Sequence, residues 1–170
     1  MNKLLGIVAF ATLALAPGIT IAQSDANAAH HAYDWMIGSW NCTNATPSTM
    51  GGPASQALTV TRSSAYDTLV MHFTGKNFDQ YGFLTYETGA RTWWISWAYP
   101  GGNMSNEAST AEAGKKTTVW HGSFFNASNG THSHVRDTLT IASPTKFTDV
   151  SEDDSSGSMK PNYNGTCEKS

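Results

Sequence analysis

The chain has 170 residues, 14% of them charged, and a formal net charge of −3. That length suffices for one domain with its own core. With no basic patch or long charge run, it lacks the electrostatic footprint of a nucleic-acid-binding protein. Ser, Thr, Asn and Gly are abundant, so the surface is expected to be solvated through hydroxyls and amides.

The first 22 residues read as a leader. Lys3 supplies a positive start, Leu4 to Ala16 form an apolar run, and Pro17 and Gly18 break it. Thr20-Ile21-Ala22 places small residues where signal peptidase needs them, so cleavage is expected before Gln23. This predicts a signal peptide over 1–22, one domain over 23–170, and a periplasmic or secreted product. A membrane anchor is the alternative, but the apolar run is short for a span and no basic stop-transfer signal follows it. No later stretch is apolar enough to cross a bilayer as a helix, so no transmembrane segment is expected in the mature chain.

His30 to Ile37 is the single helical candidate, with Tyr33, Met36 and Ile37 at helical spacing and Gly38 as the stop. Strand-like runs follow at short intervals: Gly38 to Thr43, Gln56 to Arg62, Asp67 to Gly75, Gln80 to Glu87, Arg91 to Tyr99, Asn103 to Thr110, Thr117 to Phe125, His132 to Ile141, Lys146 to Ser151 and Asn162 to Cys167. Turn chemistry separates them, including Glu87-Thr88-Gly89-Ala90, Pro100-Gly101-Gly102 and Ala113-Gly114-Lys115. About ten short strands without crossover helices predict an antiparallel all-β sandwich or barrel.

The two cysteines help choose between these. An even count in an exported chain favours a disulfide. Cys42 falls in the first strand and Cys167 in the last. In an up-and-down barrel with an even number of strands, closure makes those strands neighbours. In an open meander they lie at opposite edges, too far apart to bridge. Pairing and closure therefore support each other. Two buried thiols are the alternative.

Alternation sorts each strand into two faces. One face collects Leu69, Met71 and Phe73; Trp93, Ile95, Trp97 and Tyr99; Trp120, Gly122 and Phe124; and Val135, Asp137, Leu139 and Ile141. The fourth strand is undecided between Tyr81 with Phe83 and Leu84 with Tyr86. Packed inward, the aromatic set predicts a site for a small hydrophobic or aromatic molecule lined by Trp93, Trp97, Tyr99, Trp120, Phe124, Met71 and Phe73. A filled core without a cavity is the competing expectation.

Asp137 interrupts that apolar face. A carboxylate there is costly unless paired, and its pKa is expected to rise. It is the candidate polar anchor, or the candidate catalytic acid or base; a structural Asp paired with an Arg is the alternative. His121, His132 and His134, with His72, fall on the opposite face. They could hold a metal or haem only if the barrel were inverted, with its exterior covered in a homo-oligomer. Otherwise they are surface residues and no cofactor is expected. The chain has no nucleophile elbow, phosphate loop or HExxH helix.

Gly38-Ser39-Trp40, after the short helical candidate, resembles the Gly-x-Trp that opens the first strand of lipocalins and other calycins. The resemblance implies an up-and-down barrel of about 8–10 strands, with Trp40 at its closed end and a small molecule in its lumen. Thr148-Asp149-Val150 is faintly similar to the lipocalin Thr-Asp-Tyr turn, departing at the third residue. For the Arg that covers the Trp in lipocalins, Arg136 is the candidate. A branch similar to nitrobindin binds haem through a His near its C-terminus, but here no His lies beyond His134. Three functions remain open: a small-molecule container, a cofactor-independent enzyme acting on an aromatic or phenolic substrate, and a haem or metal protein. The expected ligand site lies on strands other than those carrying the cysteines.

Overall fold

The structure, a computed structural model, describes residues 28–48, 52–110 and 115–170. The expected leader lies outside the described residues, as do positions 113 and 114 of one predicted turn. Among the described residues no helix is long and apolar enough to cross a membrane.

All ten predicted runs are strands: β1 (Gly38–Asn44), β2 (Ser55–Ser63), β3 (Thr68–Gly75), β4 (Phe78–Glu87), β5 (Thr92–Ala98), β6 (Met104–Ser109), β7 (Thr117–Asn126), β8 (Thr131–Ser143), β9 (Lys146–Asp153) and β10 (Lys160–Lys169). Each pairs antiparallel with its sequence neighbours, and β1 pairs with β10, so the sheet is a closed barrel. Cys42 and Cys167 are direct register partners across the closure and form a disulfide spanning 125 residues of chain.

The predicted helix is shorter than its spacing suggested. One helical turn at residues 28–30 leads through a turn into a 3-10 turn, Asp34–Met36. This segment closes one end of the barrel. Tyr33 and Met36 are each only 3% exposed. Tyr33 packs edge-on against Trp93, 4.7 Å between ring centres, and donates a hydrogen bond to the Thr118 hydroxyl. Burial pushes its phenol pKa up to about 12, against that hydrogen bond.

Trp40 is the centre of this floor. Its indole N–H donates to the Met36 carbonyl at 2.6 Å, and Trp35 and Phe147 pack edge-on around it. Gly38 two residues earlier has φ +128°, where a side chain is strained, which explains the glycine of the Gly-x-Trp. The cation over Trp40 is Lys169, its ammonium 5.1 Å from the ring centre, and not Arg136. Lys169 arrives there because it is the register partner of Trp40. Arg136 instead binds Glu152 on the neighbouring strand.

Two further expectations change. Thr148-Asp149-Val150 is no turn; it lies within β9, and Asp149 pairs with Leu139 on one side and Gly165 on the other. The undecided β4 turns Phe78, Gln80 and Leu84 inward and leaves Tyr81 and Phe83 on the outer wall. The apolar faces of β3, β5, β7 and β8 all point inward, so the barrel is not inverted.

Candidate functional site

Aromatic side chains fill most of the lumen themselves. What remains is two small cavities above the floor. The larger, about 40 Å³, lies toward the end opposite the helical plug, and Phe73, Trp97, Tyr99 and Phe124 line it. The smaller, about 20 Å³, lies deeper, with Met71 and Trp120 among its walls. Phe73, Trp97, Asp137 and Asp149 line both, so the two are separated only by side chains. A water needs about 10–15 Å³, and a cavity of about 150 Å³ holds benzene. The larger space therefore takes a group of a few heavy atoms and not a free ring.

Of the predicted lining residues, only Trp93 stands apart. It lies in the floor between Tyr33 and Tyr86. The histidines project from the outer wall and do not converge. His134 is bonded to Asp154, His132 packs on Phe125, and His121 is exposed. Among the described residues no group of three or more His, Cys, Asp or Glu is arranged to hold a metal ion.

Asp137 is not alone. Asp149 on β9 lines the same two cavities, and Glu107 on β6, which lines neither, stands behind Asp137. Glu107 is fully buried and Asp137 is 5% exposed. Their carboxyl groups lie within hydrogen-bonding reach of each other. That contact is a hydrogen bond only while one of them keeps a proton; with both ionised, Glu107 Oε2 and Asp137 Oδ1 have no donor among the described residues. The pair is extended by hydroxyls. The Ser105 hydroxyl donates to Glu107 at 2.9 Å and lies 3.3 Å from the Tyr99 hydroxyl, while Ser151 donates to Asp137.

The electrostatics follow from this crowding. Burial, then the charge of Asp137, pushes the Glu107 carboxyl well above the usual carboxylate range. The same two causes act on Asp149. Asp137 is also raised by burial, against the hydrogen bonds from Ser151 and Glu107. No basic side chain lines either cavity, and none is near enough to pull any of the three downward. Asp137 therefore has no Arg partner.

No family model matches the chain, and no curated protein is significantly similar to it.

Sequence reasoning missed Glu107, Asp149 and Tyr163. Strand β6 turns Ser105, Glu107 and Ser109 inward, with no apolar residue to mark that face. Asp149 carried a signal, because it stands two residues from Phe147 and from Ser151 and so shares their face. Tyr163 lies on the cysteine-bearing strand β10. Its ring covers Gly165, where a Cβ would come 2.0 Å from the tyrosine oxygen. With Asn162 it places β10 in the cavity wall, so the site does include a strand of the disulfide seam, contrary to expectation.

Proposed function

We propose that the chain is an exported, calycin-like barrel that receives a small molecule in the lumen above Trp40. The observation that carries this reading is a cavity in which aromatic faces and buried carboxyl groups converge, at the end of the barrel away from its plug. Buried polar groups without partners each cost about 1–3 kcal/mol. Such a cluster is retained more readily where a ligand completes it. The space restricts the ligand. It admits a polar head group of a few heavy atoms, and a larger aromatic molecule enters only if rings such as Phe73 or Tyr99 swing aside. The disulfide accords with export, since such bonds persist in oxidising compartments.

Native mass spectrometry of the purified chain, with tryptophan fluorescence during titration by small amines, alcohols and phenols, tests the reading. A copurifying molecule or a saturable change is expected. If nothing copurifies and no compound alters the fluorescence, the reading falls.

A second reading is favoured by the Glu107–Asp137 contact. A proton held between two carboxyl groups is available as a general acid, which would make the barrel a cofactor-independent enzyme for a phenolic substrate. Any turnover found by screening should vanish in Asp137→Asn; turnover that survives removes Asp137 from the mechanism.

A further inference from the structure

We propose that the ligand carries a protonated amine, received by Asp137 and Asp149, with Glu107 behind Asp137, and flanked by the rings of Trp97, Tyr99 and Tyr163. This deepens the small-molecule reading and rests on it.

Among the described residues no cationic side chain lines either cavity; the walls hold carboxyl acceptors and one unpartnered donor, the Trp120 indole N–H of the deeper cavity. Glu107, Asp137 and Asp149 lie close together, with serine and tyrosine hydroxyls beside them and the amides of Gln56, Gln80 and Asn162 in the cavity wall. With both carboxyl groups ionised, Asp137 Oδ1 and Glu107 Oε2 lack a donor, and the Tyr163 hydroxyl has no hydrogen-bond partner among the described residues, although Tyr163 is only 8% exposed and lines the larger cavity. Elsewhere the buried Asp153 is held by Ser155 and Asn162, and two less buried carboxylates are paired with bases. Glu152 takes Arg136, and Asp34 takes Arg62. At the trio no described residue supplies a counter-charge.

The chemistry of candidate ligands separates cleanly here. An anion would meet three groups of its own sign. A hydrocarbon would bring no donor to the ionised carboxyl oxygens and no partner to the Tyr163 hydroxyl. An alcohol brings one donor. An alkylammonium brings three N–H donors and the missing charge in a head small enough for about 40 Å³. The negative faces of the aromatic rings add attraction for a cation and little for a neutral group. Such a ligand would take the place of a proton, so binding should release one. The groups facing that proton are Glu107 on β6, Asp137 on β8, Asp149 on β9, Tyr99 at the end of β5 and Tyr163 on β10.

Propylamine and its neutral isostere 1-propanol, titrated into the full chain, test this. Chemical shifts of the Met71 methyl and the Trp97 indole report binding, and calorimetry in two buffers of different ionisation enthalpy counts protons. Propylamine is expected to bind at least tenfold more tightly than propanol, to release about one proton at pH 6, and to tighten as pH rises from 5 to 8. Asp137→Asn should weaken propylamine at least tenfold and propanol by a smaller factor. If that variant does not fold, proton release by the unmodified chain decides. Propanol binding as well as propylamine, or propylamine binding with no proton released and a flat pH dependence, overturns the amine assignment while leaving the lumen reading intact. Failure of both compounds, with every other compound also silent, removes both.

Discussion

Glu107 and Asp137 meet diagonally across β7, although β6 and β8 are not neighbours. Glu107 stands opposite Gly122, which has no side chain to hold them apart, and Asp137 stands opposite Trp120, two residues along β7. Glu107 is the register partner of Gly122, and Gly122 shares the inward face of β7 with Trp120 and Phe124. A Cβ at 122 would lie 1.9 Å from the Asn106 carbonyl oxygen and 2.7 Å from the Glu107 Cα. The obstacle is backbone, so no side-chain rotation relieves it.

Gly122→Ala should therefore push β6 away from β7 and separate the carboxyl pair. Overpacking of this kind costs roughly 1–3 kcal/mol. Urea unfolding should show a lower midpoint with an unchanged slope. The same midpoint as the parent would mean that the close approach of β6 is unimportant.

The trio gives stability an unusual pH dependence. The folded-state pKa values of Glu107, Asp137 and Asp149 are raised, so the native state holds protons that the unfolded chain has already lost. Their contribution is complete below the ordinary carboxylate range and is lost as pH rises through the folded values. Each retained proton is worth up to about 1.4 kcal/mol per pH unit. Urea midpoints should accordingly fall between pH 4 and pH 8. Glu107→Gln should raise stability at pH 8 by about 1–3 kcal/mol and change it little at pH 4, since an amide needs no counter-charge and can still donate to Asp137. Midpoints that climb across this range contradict the assignment.

The floor separates two kinds of contact with Trp40. Lys169 sits over the ring at the protein surface, where a cation–π contact is worth about 0.5–1 kcal/mol. Trp40 itself is 1% exposed and holds Met36 by its indole N–H. Lys169→Met should cost no more than about 1 kcal/mol, and Trp40→Ala about 3–5 kcal/mol. Thermal or urea unfolding of both variants checks the ordering; a larger loss for the lysine variant would show that the charge, and not the packing, holds the floor.

The disulfide should matter most to its own strands. In the chain-entropy model, closing a loop of 125 residues contributes roughly 4–5 kcal/mol. After reduction, amide exchange should quicken first in β1 and β10, while β5 keeps its protection. Because Tyr163 lies on β10, ligand affinity should weaken as well. Uniform loosening of all ten strands would show that the bond does not act locally.

The ten strands, their closure and the inward set of β3, β5, β7 and β8 were legible because apolar alternation is strong there. Cys42 and Cys167 gave the closure, since only a ring brings the ends together. The site was half legible. Asp137 was visible because it breaks an apolar face, whereas Glu107 hides among serines on a strand with no apolar face to break. Lys169 was missed because its neighbour Trp40 lies over a hundred residues away in sequence, and only the register of the closing pair joins them. The size of the cavity was beyond reach, because it depends on how rings such as that of Tyr163 lie over glycine.

Closure also limits how this protein can be recognised from outside. Every strand already has two partners, so no row of backbone N–H and C=O groups is left to template another strand. A partner chain cannot extend this sheet while the ring is shut. Contacts from outside must be made with side chains, and the exposed rings among the described residues include Tyr81, Phe83 and Trp94 on adjacent β4 and β5, with Tyr66 in the turn between β2 and β3.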